Sequence, residues 1–237
     1  MTLTAPRHKV EVVVTGRSLR STHIVWDWNG TLLDDNHAVL SGVNAVCSRY
    51  GRAPITLDEW RAIYSRPLVA CYERLLGRGL NTEDWVGIEA LYHDVYRELL
   101  PSCRLADGVP DLLHRWQTNG RSQSLLSMWF HAELVGLLTK LGLVELFARV
   151  DGLRHEVGGG SKAEHLAEHL AALQLDPAQV VLIGDVADDA HAAAHVGAAC
   201  VLVSTGMTTR GALESTGAPV VDSLHEALNT LGDDRAA

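Results

Sequence analysis

The feature that most constrains this chain is the alternation of short apolar runs with amphipathic segments. The clearest runs are His23–Trp26, Ser122–Leu126, Val180–Ile183 and Cys200–Val203, with a weaker one at Pro219–Val221. Such runs are strand-length, and the segments between them carry helical spacing. Val109, Leu112, Leu113 and Trp116 share one face, and Gly120 closes that segment. Leu134, Leu137, Leu138 and Leu141 repeat the pattern, as do Lys162–Leu173 and Asp189–Val196. Strand and helix in alternation are the signature of a parallel sheet with crossover helices. A chain of 237 residues, 47% of them hydrophobic, can bury a core for one large domain or for a core with a smaller insert.

One interval breaks the alternation. From Asn36 to Arg104 no strand is legible. Val39, Val43, Val46, Cys47 and Tyr50 mark an amphipathic helix ending near Gly51. Thr56 with Glu59 three positions on forms a capping box for the next helix. Pro67 suits the first turn of a third, which Gly77 ends. Thr82 caps a fourth, which runs to the stop at Leu100–Pro101. The expected organisation is therefore an α/β Rossmann-like core from residues 1–35 and 105–237, with an inserted all-helical cap over 36–104. Val10–Val14 has strand character outside this scheme, and Asp233–Ala237 reads as a frayed tail.

The formal net charge is −9 and no long basic run occurs, which argues against a nucleic-acid partner. A small phosphorylated metabolite remains compatible, because a local site can be positive on an acidic protein. Cys47, Cys71, Cys103 and Cys200 form no C-x-x-C pair, so they suggest reduced core residues rather than zinc or redox chemistry. Arg7, His8 and Lys9 interrupt the start of the chain too early for a signal peptide, and no apolar stretch approaches the length of a membrane span. A soluble cytoplasmic protein with no membrane partner is expected. The oligomeric state is not legible.

Four elements fall at strand ends or helix starts, where open α/β sheets place their ligands. Asp27-Trp28-Asn29-Gly30-Thr31 follows the first strand. A carboxylate there can act as a nucleophile toward phosphorus, and the backbone of the turn at Gly30 can cradle phosphate oxygens. Ser127 follows the second strand and offers a hydroxyl. Gly158-Gly159-Gly160-Ser161-Lys162 opens a helix with a lysine able to neutralise charge on a transferring phosphoryl group. Gly184-Asp185-Val186-Ala187-Asp188-Asp189 follows the third strand, and clustered carboxylates suit a hard cation such as magnesium. Taken singly, each element also has an ordinary structural explanation, such as a helix cap or a surface lysine.

In this order, the elements resemble the haloacid dehalogenase-like superfamily from about His23 onward, and the helical insert is similar to the cap of its phosphoglycolate phosphatase-like branch. The resemblance implies that Asp27 forms an aspartyl-phosphate while Ser127 and Lys162 hold the phosphoryl oxygens. It implies a Mg2+ ion on Asp27, the backbone carbonyl of Asn29 and Asp185, with Asp189 in support. Trp28, Thr31, Arg66 and Met128 are the substrate-side candidates. Two departures stand out. Phosphatases of this family usually carry Asp where this chain has Asn29, and an amide cannot protonate a leaving group. Met128 stands where a small or polar residue is common.

Three readings follow: a magnesium-dependent phosphatase, a phosphonatase- or dehalogenase-type hydrolase, and a catalytically weak phosphate-binding or interaction protein. His165 and His169 also match an H-x-x-E-H zinc pattern, but no third ligand is evident and a solvated helix face explains the pair. Trp60, Tyr64, Tyr72 and Trp85 read as packing of the cap interior.

Overall fold

The computed structural model describes residues 23–118, 120–154 and 161–232. The Val10–Val14 run, the glycines at 158–160 and the tail from Asp233 lie outside them. Strand β1 (His23–Trp26) leads to a short β2 (Leu33–Asp34) and then to helices α1 (Asn36–Arg49), α2 (Leu57–Ile63), α3 (Leu68–Leu76) and α4 (Thr82–Leu99). The chain returns through β3 (Arg104–Leu105), which pairs antiparallel with β2. The remainder alternates: α5 (Val109–Thr118), β4 (Ser122–Phe130), α6 (His131–Lys140), β5 (Val150–Leu153), α7 (Lys162–Leu173), β6 (Val180–Gly184), α8 (Ala187–Val196), β7 (Ala199–Val203), α9 (Arg210–Glu214), β8 (Val220–Val221) and α10 (Leu224–Thr230).

Among the described residues, six strands form one parallel sheet in the order β5-β4-β1-β6-β7-β8. The expected α/β Rossmann-like architecture is what the structure has. β1 and β6 are buried along their whole length, as strands covered by helices on both faces must be. The chain leaves β1 toward β4 on one side and β6 on the other, so β1 is the point where strand order reverses and a crevice opens at the carboxyl ends.

Several local expectations need correction. β4 runs on to Phe130, with a register irregularity after Leu126, so Ser127 lies within the strand rather than after it. β5 carried no sequence signal, because all four of its residues are only half-buried at the sheet edge. Asn81, not Thr82, caps α4: its side chain accepts from Asp84 N, and Asp84 answers to the Asn81 backbone. Pro67 is the residue before α3 rather than in its first turn. The Thr56–Glu59 capping box forms as expected.

The helical segment packs onto itself and onto the sheet. Gly42 lets α1 approach α4 closely; a Cβ there would lie 2.7 Å from the Tyr92 ring. Arg97 of α4 pairs with Glu133 of α6, Nε to Oε1 at 3.0 Å. Arg61 of α2 donates from Nε to the Gly206 carbonyl at 2.8 Å and from Nη2 to the Thr205 carbonyl at 3.3 Å.

A buried polar chain crosses the sheet at the start of β1. His23 contacts Ser122 Oγ through Nδ1 at 2.7 Å and Ser124 Oγ through Nε2 at 2.8 Å. Ser124 Oγ also meets His169 Nε2 at 2.7 Å, and His169 Nδ1 meets Asp151 Oδ2 at 2.7 Å. One proton per link satisfies the series when both histidines are neutral. His169 is therefore a core residue bonded to Asp151 and Ser124, which leaves the zinc pattern without its second histidine.

Candidate active site

Asp27, Lys162, Asp185 and Asp189 arrive from four different elements and meet at the carboxyl edge of the sheet. Asp27 follows β1, and its backbone N–H donates to Ile183 O at 2.9 Å, which fixes the chain beside β6. Lys162 is the first residue of α7 and 2% exposed. Its Nζ lies 2.5 Å from Asp27 Oδ1 and also pairs with Asp189 Oδ1. Asp185 follows β6 and accepts from Met207 N at 2.8 Å. Thr31 Oγ1 reaches Asp185 Oδ1 at 3.3 Å and Asp27 Oδ2 at 3.4 Å.

The three carboxylates have ligand atoms within 4.8 Å of one another, and all are buried. One ammonium faces three acids, so negative charge is in excess where water is scarce. Burial above all, with Asp189 adding to it, pushes the Asp27 carboxyl up to about 6 despite Lys162. Burial and then Asp27 and Asp189 raise the Asp185 carboxyl well above the usual range. Burial draws the Lys162 ammonium down, but Asp189 and Asp27 outweigh it and keep it firmly protonated.

Asp189 is the third residue of α8 rather than its first, and its Oδ2 accepts from Val186 N at 3.1 Å. Its Oδ1 pairs with Lys162 Nζ. Three buried carboxylates with ligand atoms this close, facing one ammonium, fit a divalent cation of oxygen preference.

Two glycines make room for these acids. A Cβ on Gly206 would sit 1.7 Å from Asp185 Oδ2, and one on Gly184 would sit 2.1 Å from Asp189 Oδ2. Gly206 and Met207 were not singled out as site residues from sequence, although the stretch from Gly206 resembles a late segment of the superfamily; their role arises only when β7 is laid beside β6.

Asn29 points away from this cluster. Its Nδ2 donates to Asp35 Oδ2 at 2.8 Å and to Tyr96 Oη at 2.7 Å. Its Oδ1 accepts from Ser127 Oγ at 3.3 Å. Tyr96 in turn donates to Asp35 Oδ2 at 2.7 Å, and Gly30 N donates to Oδ1 at 2.9 Å. Burial raises the Asp35 carboxyl even against these donors. Asp35 and Tyr96 are thus part of the site.

A cavity of about 160 Å³ opens over Asp27. Asn29, Asp35, Lys162 and Asp185 floor it, while Arg66 and Met128 line it as the sequence anticipated. Trp28 does not; it is fully buried in the hydrophobic core. Thr31 also stays behind the surface, as a bridge between carboxylates. Trp60, Tyr64, Tyr72 and Trp85 do pack together, with ring centroids 5.4–6.1 Å apart, but the same residues line the cavity. They are interior and wall at once. Tyr92, Tyr96 and Trp129 continue the wall.

A family model described as haloacid dehalogenase-like hydrolase matches residues 24–203. The chain is 27% identical over 216 residues to a phosphoglycolate phosphatase of Caulobacter vibrioides, covering 87% of this chain and 89% of that protein. It is 28% identical over 193 residues to a phosphoglycolate phosphatase of Synechococcus elongatus, covering 80% and 87%. Its fold is similar to that of a haloacid dehalogenase-like family hydrolase of Streptococcus pneumoniae, with a TM-score of 0.76 at 18% identity over 89% of this chain and 98% of that one.

Proposed function

The chain belongs to the haloacid dehalogenase-like hydrolases, and from that premise we propose that it is a magnesium-dependent phosphatase which hydrolyses a small phosphomonoester through an aspartyl-phosphate on Asp27. The observation that carries this is the Lys162 ammonium held between Asp27 and Asp189, with Asp185 alongside, at the carboxyl edge of the sheet.

Asp27 is the nucleophile: a carboxylate oxygen bonds to phosphorus and the ester oxygen departs. Lys162 keeps its proton throughout and offsets the charge that gathers on the phosphoryl oxygens. Ser127 turns its hydroxyl from Asn29 to one of those oxygens. Asp189 positions Lys162. Asp27, the Asn29 carbonyl and Asp185 would hold Mg2+, which when bound neutralises phosphoryl charge beyond what one lysine supplies. Water then attacks the aspartyl-phosphate and restores the carboxylate.

The helices α1–α4, residues 36–104, act as the cap over the core, and their aromatic wall excludes water during transfer. Arg66 and Met128 contact the substrate. Four free cysteines support a cytoplasmic setting, and no described helix is long and apolar enough to cross a membrane.

The test is phosphate release from a panel of phosphomonoesters with and without Mg2+. Turnover that needs Mg2+ and is lost in Asp27→Ala supports the proposal. No turnover by the wild type, with phosphate still bound, assigns a binding protein instead.

A further inference from the structure

Asn29 stands where the family's usual acid would protonate the leaving group, and the hydrogens around it are already directed elsewhere. Both amide hydrogens go to Asp35 and Tyr96. The reverse amide orientation would set its oxygen against the Asp35 carboxylate, so the assignment is fixed by chemistry. The Tyr96 hydroxyl gives its proton to Asp35. The Ser127 hydroxyl donates to Asn29 Oδ1 and accepts from Trp129 N. With Ser127 turned to a phosphoryl oxygen, Asn29 and Tyr96 still direct no proton toward an ester oxygen over Asp27.

The cavity above these side chains has aromatic walls, from Tyr64, Trp85, Tyr92 and Trp129, and a volume of about 160 Å³. Aromatic side chains favour a ring in stacked or edge-on contact.

Resting on the phosphatase reading, we infer that the substrate is an aryl phosphate, a phosphomonoester whose leaving group is a phenol. A phenol has an ordinary pKa of about 10, whereas water-like alcohols lie near 15.7. Phenoxide therefore departs without a proton from the protein. The Asp27 oxygen forms its bond to phosphorus as the P–O(aryl) bond breaks. The electron pair leaves on the aryl oxygen, which takes a proton from solvent afterwards. Water next bonds to phosphorus as the P–O(Asp27) bond breaks, which restores the Asp27 carboxylate, and both of the water's protons leave on the phosphate, as dihydrogen phosphate.

The test is kcat/KM of the full chain with Mg2+ for substituted phenyl phosphates, phenyl phosphate, phosphoglycolate and methyl phosphate. The expected result is a steep fall with leaving-group pKa, with both alkyl esters at least about 100-fold below phenyl phosphate, the lower end of what an acid contributes. The paired variant Asn29→Asp with Asp35→Asn restores an acid without setting two carboxylates face to face, and raises the alkyl-to-aryl ratio by about 10². Tyr92→Ala raises KM for phenyl phosphate by a larger factor than KM for methyl phosphate. Alkyl esters turned over within tenfold of phenyl phosphate by the wild type overturn the inference, because another group in the cavity, such as His93, Glu89 or the Tyr96–Asp35 pair, then supplies the proton. Failure to turn over any ester, p-nitrophenyl phosphate included, overturns the phosphatase reading itself.

Discussion

His23 stands at one end of β1 and Asp27 just past the other, and they lead into buried polar clusters of opposite construction. The first runs from Ser122 through His23, Ser124 and His169 to Asp151, and each link is a hydrogen bond of 2.7–2.8 Å. Arg149 closes it against Asp151. The second sets Asp27, Asp185 and Asp189 around one lysine. Each is largely withdrawn from water, at a cost far greater for the charged groups of the second than for the mostly neutral ones of the first. Only the first repays that cost with its own partners. A closed set of partners specifies a fold, whereas surplus charge left in a cavity is a place for something else to bind.

That contrast can be broken by experiment. The largest expected effect is on chemistry: Asp27→Asn lowers phosphate release by at least about 10⁴-fold, as loss of a nucleophile does, while circular dichroism shows the fold kept. A folded variant with substantial residual turnover would remove Asp27 from the reaction.

The histidine cluster answers to acid. Burial, with His169 adding to it, lowers the His23 imidazole from 6.5 to about 4. At His23 the unfolded chain thus takes up a proton before the native one does, and this residue's contribution to stability is lost as pH drops from about 6.5 toward 4, while the raised Asp27 and Asp185 carboxyls act in the opposite sense. A shift of this size is worth about 3 kcal/mol, read as the difference between the wild type and His23→Gln in urea unfolding across that range.

Next in size is the response to magnesium. At a concentration 100-fold above Kd, Mg2+ adds about 2.7 kcal/mol, seen as a rise in Tm. Asp185→Asn removes that rise and, by deleting one of three like charges, leaves the metal-free protein no less stable. The smallest effect separates structure from catalysis: His169→Ala costs about 1–3 kcal/mol by orphaning its partners but leaves kcat per folded molecule unchanged. Lost turnover in a stably folded His169→Ala would erase the distinction between the two clusters.

The second cluster was far more legible in the sequence than the first. Asp27, Lys162 and Asp185 each sit where an apolar strand or a helix begins or ends, and their order along the chain, which resembles that of the haloacid dehalogenase-like superfamily, singled them out. Ser122, Ser124 and His169 carry no such mark, because their pairing depends on parallel register between β1 and β4 and on how α7 lies across them. Asp35 escaped for the same reason: adjacent to Asp34 in sequence, it becomes part of the site only when α4 brings Tyr96 to it. β5 was invisible because an edge strand with half-buried residues lacks a distinctive apolar pattern. Trp28 misled in the other direction, since a position beside the nucleophile faces the core as readily as the cavity.

The two bonds from Arg61 to the Thr205 and Gly206 carbonyls have a mechanical consequence. The next residue, Met207, holds Asp185 through its N–H. A helix, a loop and a carboxylate are thereby joined like rods in a linkage. Any swing of α2 away from the sheet either breaks those bonds or drags the loop along and loosens Asp185. On the proposed function, admission of substrate and grip on the cation would be traded against each other, with the tightest grip in the shut position.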